Sequence, residues 1–376
     1  MVSNFPPERK AAITAALAGG WVADAASLGL HWLYNSERIL EVGGQSPEFL
    51  PPRAEYYTKG FGYFAHEGKQ VGDVSHYGAA TGVLTDSLLA TNGNLDIRDY
   101  QRRFRSFFGS GGQWRGFIDN PTRITLENFN AIERKAVEEA QSGMPDDLSD
   151  KQKRILVQKV MPYTRRLSGS ALAQPVREAI SLTYKEKAIQ EAGVHLAETI
   201  DRNLSKLPPL VAAHRGSTNL LDVVEAAVRV TNHNDEAVAW AKCAAVLLDG
   251  LFRGEPLAEA MNSAIAEAPD QASLKRALES SELKGVAAGD TFGRTCYLQE
   301  AMPVSFHILN TARSYTEAIR ANIHCGGDSC GRAWLIGPAM AAMHGVGGEN
   351  GIPLSWLARV TDAATVYQDI ESLVGN

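Results

Sequence analysis

The chain has 376 residues, with 37 Lys plus Arg against 43 Asp plus Glu and a formal net charge of −6. Apolar residues make up 44%, and there are 34 Gly, 16 Pro and 4 Cys. This balance excludes a disordered or collagen-like chain, a nucleic-acid scaffold, which needs a basic face to replace counterions, and a disulfide-dense secreted fold.

The N-terminus, Met1-Val2-Ser3-Asn4-Phe5-Pro6, has no apolar run behind a basic start, so no signal peptide is expected. Residues 11–34 are rich in Ala and Leu, but Asp24 and His31 interrupt them. Burying those groups in lipid is costly, so no membrane span is expected. The chain reads as cytoplasmic, with reduced cysteines. Asp24, amid alanines on a helical segment, is expected to be buried and to tie loops together by hydrogen bonds.

Residues 45–77 are Pro-, Gly- and aromatic-rich and too long for an idle connection. Residues 109–120 form a second Gly-rich loop. Residues 142–154 are polar and charged, and mark a charged helical insertion over about 131–206 in an otherwise single domain. Helical spacing then dominates. Asn234-Asp235 caps a run over 236–251, and Pro256 opens a helix over 257–268. A helix over 298–312 contains Pro303, a site for a kink, and residues 333–344 form a central helix apolar on all sides. Strand alternation is scarce, so the fold class is all-α, a single large helical bundle with long loops lining a cleft.

The chemistry concentrates in Gly326-Gly327-Asp328-Ser329-Cys330-Gly331-Arg332. The glycines allow a tight turn, and Asp328 then stands where a helix begins. Free N–H groups at a helix start favour anions, carboxylates and low-pKa thiols. Cys243 and Cys296 read as small core residues.

This motif, followed by an Ala- and Gly-rich helix, resembles the closing Gly-Gly-Asp-Thr-Asp-Thr motif of the ADP-ribosylglycohydrolase family. Further pieces follow in family order: residues 20–25, the helix after Ser75-His76-Tyr77-Gly78, residues 201–211, and Asn232-His233-Asn234-Asp235. His31-Trp32-Leu33-Tyr34-Asn35, Arg123-Ile124-Thr125-Leu126 and the Cys330–Arg332 pattern most resemble the J1-crystallin branch.

The resemblance implies an orthogonal helical bundle and hydrolysis of a glycosidic bond to ADP-ribose or a related nucleotide sugar. The partner would be that sugar or an ADP-ribosylated substrate. It also implies two magnesium ions on carboxylate and hydroxyl oxygens. Residue by residue, His31 falls on a metal-binding Glu, and Ser75-His76-Tyr77-Gly78 falls on Thr-Asp-Asp-Thr. Asp328 keeps one metal-binding Asp, Cys330 replaces the second and Gly331 replaces a Thr. Imidazole and thiolate suit zinc better than magnesium, and no metal at all is the remaining alternative.

His31, His76, Asp328 and Cys330 are therefore the candidate catalytic residues. Gly326, Gly327, Arg332, Asp73, Ser75, Tyr77 and Trp114 are candidate substrate contacts. Asp73 could replace a lost carboxylate, and Arg332 could reach a pyrophosphate or pair with Asp328. Tyr56, Tyr57, Phe61, Tyr63 and Phe64 could form a stacking wall, with Trp114, Arg115, Phe117 and Arg123 forming a second wall and a phosphate contact. Two alternatives stand beside the hydrolase. One is a silent crystallin-like protein whose cavity is filled by side chains. The other is a thiol enzyme with Cys330 open to solvent.

Overall fold

The computed structural model describes residues 7–142, 149 and 204–375. Residues 7–119 and 204–375 form one compact unit, and residues from 120 belong to a second. The insertion expected over 131–206 lies largely outside the described residues.

Among the described residues there is no strand; two isolated bridges pair Leu33 with Gly62 and Val346 with Ile352. In the first unit the chain opens with α1 (Pro7–Ser27), a one-turn 3-10 segment (Leu28–Leu30) and α2 (Ser36–Gly43). After the long loop come α3 (His76–Ala90) and α4 (Ile97–Phe108). In the second unit α5 spans Asn120–Ser142, with Arg123 bonded to the Asn120 side chain. The first unit resumes with α6 (Leu207–His214), α7 (Leu220–Val228), α8 (Asp235–Arg253), α9 (Leu257–Glu267) and α10 (Gln271–Glu279). It closes with α11 (Val286–Phe292), α12 (Leu298–Thr311), α13 (Tyr315–Cys325), α14 (Ser329–His344), α15 (Leu354–Leu357) and α16 (Ala363–Gly375).

The caps explain several boundaries. The Asn234 side chain accepts from Ala237 N–H and starts α8, while Gly254 ends it in the left-handed conformation. Pro256 precedes α9, and Pro303 is accommodated inside a continuous α12. The buried helix over 333–344 begins at Ser329, at the start that the Asp328 turn suggested. Asp328 Oδ1 accepts from Gly331 N–H at 3.2 Å and satisfies the first turn.

The core is built on the crossing of α1 with α14. A Cβ on Gly19 would lie 2.6 Å from Ala341 Cβ, and one on Gly337 would lie 2.5 Å from Gly19 O. Only glycine permits backbones this close. The Tyr315 hydroxyl of α13 donates to Gly19 O at 2.6 Å and locks a third helix onto the pair. By length and composition alone, Glu8–Leu30 is apolar enough to cross a membrane. In the structure 78% of that window is buried within the protein, as the central helix of the bundle.

Candidate functional site

The fold brings together five segments of the first unit: Asp24 on α1, residues 31–34 after it, the loop over 61–66, the start of α3, and the turn into α14. Phe117 and Asp119 join them from the second Gly-rich loop. The junction is organised by Trp32, a non-glycine residue with φ of 63°. Its N–H donates to Gly327 O at 2.7 Å, and its carbonyl accepts from Tyr63 N–H at 3.0 Å. Left-handed backbone at such a residue costs on the order of 1–3 kcal/mol and persists where neighbours fix it. Gly327, with φ of 63°, donates to Leu33 O, and a Cβ there would meet Arg294 O at 1.7 Å. The two glycines of the motif are thus demanded by backbone geometry.

His31 is fully buried, with its ring stacked on Trp32 at 4.5 Å. Cys330 N–H donates to its Nδ1 at 3.2 Å. Nδ1 is therefore an acceptor, and the proton of the neutral ring sits on Nε2. Burial holds this imidazole well below its ordinary pKa, reinforced by His66, His76 and Arg332. Nε2 faces Asp328 Oδ1 at 3.6 Å, longer than a hydrogen bond. Burial lifts the Asp328 carboxyl to about 6 against the opposing pull of Arg332.

His76 is 2% exposed and sits at the first position of α3 behind the Ser75 cap. Its ring lies 3.9 Å from that of Tyr77, and its Nε2 lies 3.6 Å from Asp119 Oδ2. Tyr77 is fully buried, and burial together with Asp328 raises its phenol well above the ordinary value. Ser75 N–H and Oγ–H both donate to Asp24 Oδ2, at 3.2 and 3.1 Å. Asp24 thus ties α1 to α3, as its position among alanines suggested.

Two residues of this cluster escaped the sequence reading. His66, in the aromatic loop, is 3% exposed with its ring 5.2 Å from that of His31; burial lowers it to about 3. Asp119 lies at the end of the second Gly-rich loop, where nothing singled it out. No periodicity marks either one, and only loop closure places them beside His31 and His76. Around the cluster, His31 Nε2, His66 Nε2, His76 Nδ1, Trp32 Nε1 and Asp24 Oδ1 are buried without a hydrogen-bond partner. Such atoms are rare in folded proteins, and their concentration marks a place that a polar ligand or ordered water would satisfy.

Other expected site residues stand elsewhere. Cys330 is fully buried, and its thiol donates to Asp24 O at 3.6 Å. Desolvation and the neighbouring carboxylates push it well above the ordinary thiol pKa, so the solvent-open, activated thiol is overturned. Asp73 accepts from Gln70 N–H and Thr361 Oγ–H, which fastens the loop to the C-terminal region rather than replacing a site carboxylate. Arg332 is buried and donates to Asn322 Oδ1, Asn322 O and Gly326 O, so it braces the turn and is not presented to a pyrophosphate. Trp114 packs on Phe107 and Phe108 beneath Lys69, and its indole N–H donates to Phe117 O. Tyr57 is buried and donates to Gly29 O and His31 O, with Phe64 against it. Of the aromatic wall, Tyr63 is the member that reaches the site, against Trp32 and Phe117, with 56% of its surface exposed.

A family model for ADP-ribosylglycohydrolases matches residues 6–376. The chain belongs to the ADP-ribosylglycohydrolase family. Crystallin J1A of Tripedalia cystophora is 26% identical over 364 residues, 96% of this chain and 95% of that protein. Crystallin J1B of the same organism is 23% identical over 369 residues, with the same coverage. The solved structure of an ADP-ribosylglycohydrolase-related protein complex matches with a TM-score of 0.63 at 18% identity, covering 98% of this chain and 99% of that one. The all-α class is thereby shown to be the ADP-ribosylglycohydrolase fold.

The magnesium expected from the ADP-ribosylglycohydrolase resemblance does not fit these residues. Magnesium requires hard oxygen ligands, and here Asp24 is tied to Ser75 and Asp328 caps α14, while imidazoles stand beside them. His31, where the resemblance implies a metal-binding Glu, has Nδ1 occupied by an N–H and a proton on Nε2, so neither nitrogen offers a lone pair. Among the described residues, no group of three or more His, Cys, Asp or Glu is arranged to hold a metal ion. The same argument weighs against zinc on His31, His76, Asp328 and Cys330.

Proposed function

We propose that the histidine cluster binds a small polar ligand of the ADP-ribose class, and that the chain hydrolyses a glycosidic bond without a dinuclear magnesium centre. Asp328 is the proton donor in this reading. The observation that carries it is the Asp328 carboxyl, held at about 6 by burial at the turn where the family resemblance puts the reacting centre. A carboxylic acid kept partly protonated near neutral pH protonates a leaving group, and tuning of this kind is the usual means in glycosidases. The partnerless imidazole and indole nitrogens supply polar contacts for a hydroxylated ligand.

The test is release of free ADP-ribose from ADP-ribosylated peptides and small ADP-ribose glycosides, with EDTA and with magnesium. Turnover that persists in EDTA and falls at least about 100-fold in Asp328→Asn supports the reading. Turnover that appears only with magnesium overturns it.

A second reading, a silent structural or ligand-binding protein, is favoured by the complete burial of His31 and Cys330. The similarity to crystallins J1A and J1B points the same way. No turnover of any ADP-ribose glycoside, and no thermal shift with ADP-ribose, decides for this reading.

A further inference from the structure

We propose that Asp119 is a positioning residue for His76: it selects the uncharged imidazole tautomer with the proton on Nε2, and leaves the Nδ1 lone pair to accept a proton from the attacking water. The proposal rests on the hydrolase reading above and supplies the base that reading lacks.

Asp119 Oδ2 lies 3.6 Å from His76 Nε2, and both residues are 2% exposed. An N–H directed at a buried carboxylate is favoured over a lone pair directed at it, by simple electrostatics in a low dielectric. The separation exceeds a hydrogen bond, as such contacts often do before a ligand is bound. The ring is held by its neighbours, with Tyr77 at 3.9 Å and Phe117 edge-on at 5.4 Å. The opposite nitrogen, Nδ1, is buried and has no hydrogen-bond partner. With Nε2 carrying the proton, Nδ1 is a free lone pair in the cluster that also contains His31 and Asp328.

The charge of Asp119 also bears on a buried lysine, Lys206. This lysine is 4% exposed, and its ammonium donates to the Thr231 and Asn232 side chains, both neutral. Burial draws it down to about 8, and the charge that opposes the shift is Asp119. One carboxylate therefore acts on both a buried cation and the His76 ring.

In the hydrolytic step, the water oxygen bonds to the anomeric carbon as the bond from that carbon to the leaving atom breaks. The water proton passes to His76 Nδ1, and the Asp328 carboxyl proton passes to the leaving atom. The imidazolium and carboxylate then return to their starting states by proton exchange with solvent.

The deciding experiment is two-bond proton–nitrogen NMR on the full chain carrying ¹⁵N-histidine, with the His76 signals assigned by their loss in His76→Gln. The expected result is an Nε2–H tautomer in the wild type and a redistribution toward Nδ1–H in Asp119→Asn. An Nδ1–H ring in the wild type, or an unchanged ring in Asp119→Asn, overturns the proposal. In the turnover assay, Asp119→Asn is expected to lower kcat by roughly 10²–10⁴-fold with KM nearly unchanged, and Asp119→Glu to recover part of it. A raised KM with unchanged kcat would reassign Asp119 to ligand binding and overturn the orienting role. The tautomer is read without turnover, so failure of the hydrolase reading is seen separately, in the EDTA assay.

Discussion

Replacing Asp328 by asparagine isolates the energetic consequence of burying this carboxyl. The amide of the Asp328→Asn variant retains a side-chain oxygen for Gly331 N–H, so the cap survives while the ionisation is removed. In the folded protein the carboxyl is raised from 3.8 to about 6, which means the folded state holds the proton more tightly than the unfolded chain. Stability from this group is present below about pH 3.8 and is lost as the pH rises through 6. The difference between the two states corresponds to about 3 kcal/mol at neutral pH. The assay is urea unfolding of both proteins between pH 3.5 and 7.5. Titrations elsewhere in the chain cancel in the difference, and the attraction of the ionised carboxyl to Arg332 is already contained in the value of about 6. Relative to Asp328→Asn, the wild type should lose about 3 kcal/mol across the range, most of it between pH 4 and 6. A difference that stays flat, or that grows in the wild type's favour with pH, refutes the buried, proton-retaining carboxyl.

Three further outcomes are expected. His66 has the opposite sign: burial lowers it to about 3, so its contribution is present above 6.5 and is lost as the pH falls; against His66→Gln, the wild type should lose about 3 kcal/mol between pH 7 and 4 by the same urea measurement. All four cysteines are buried, so alkylation followed by intact mass should find no adduct on the native protein and four after denaturation; rapid native labelling at Cys330 would refute the closed thiol. Gly327→Ala forces a Cβ against Arg294 O in a left-handed position and should destabilise by at least about 2 kcal/mol in thermal unfolding, whereas the same change at Gly345, with nothing within 4 Å, should be milder.

The helices were legible where local chemistry decides them. Asn234 before α8 and Pro256 before α9 mark boundaries that tertiary packing does not move. The start of α14 was legible as well, because the glycine pair allows the turn and Asp328 supplies the cap, and the apolar run from 333 is its buried continuation. Part of the site was legible through the motif order, which led to His31, His76 and Asp328. His66 and Asp119 were not, because each comes from an irregular loop and gains its partners only by chain closure. The state of Cys330 was unreadable for a different reason. A thiol in the first turn of a helix is activated or inert according to what covers it, and here the cover is Asp24, some 300 residues earlier.

That separation affects how the protein is made. Gly19 on α1 finds Tyr315 on α13 and Gly337 on α14 at the far end of the chain, with 296 positions between the first two. At roughly 5–20 residues per second, a ribosome takes on the order of 15–60 s to cross that interval. Throughout it, an apolar helix with the composition of a membrane span has emerged without its partner. A transient cover for α1 during synthesis should therefore raise the yield of folded chain, as co-expression with a holding chaperone would read out.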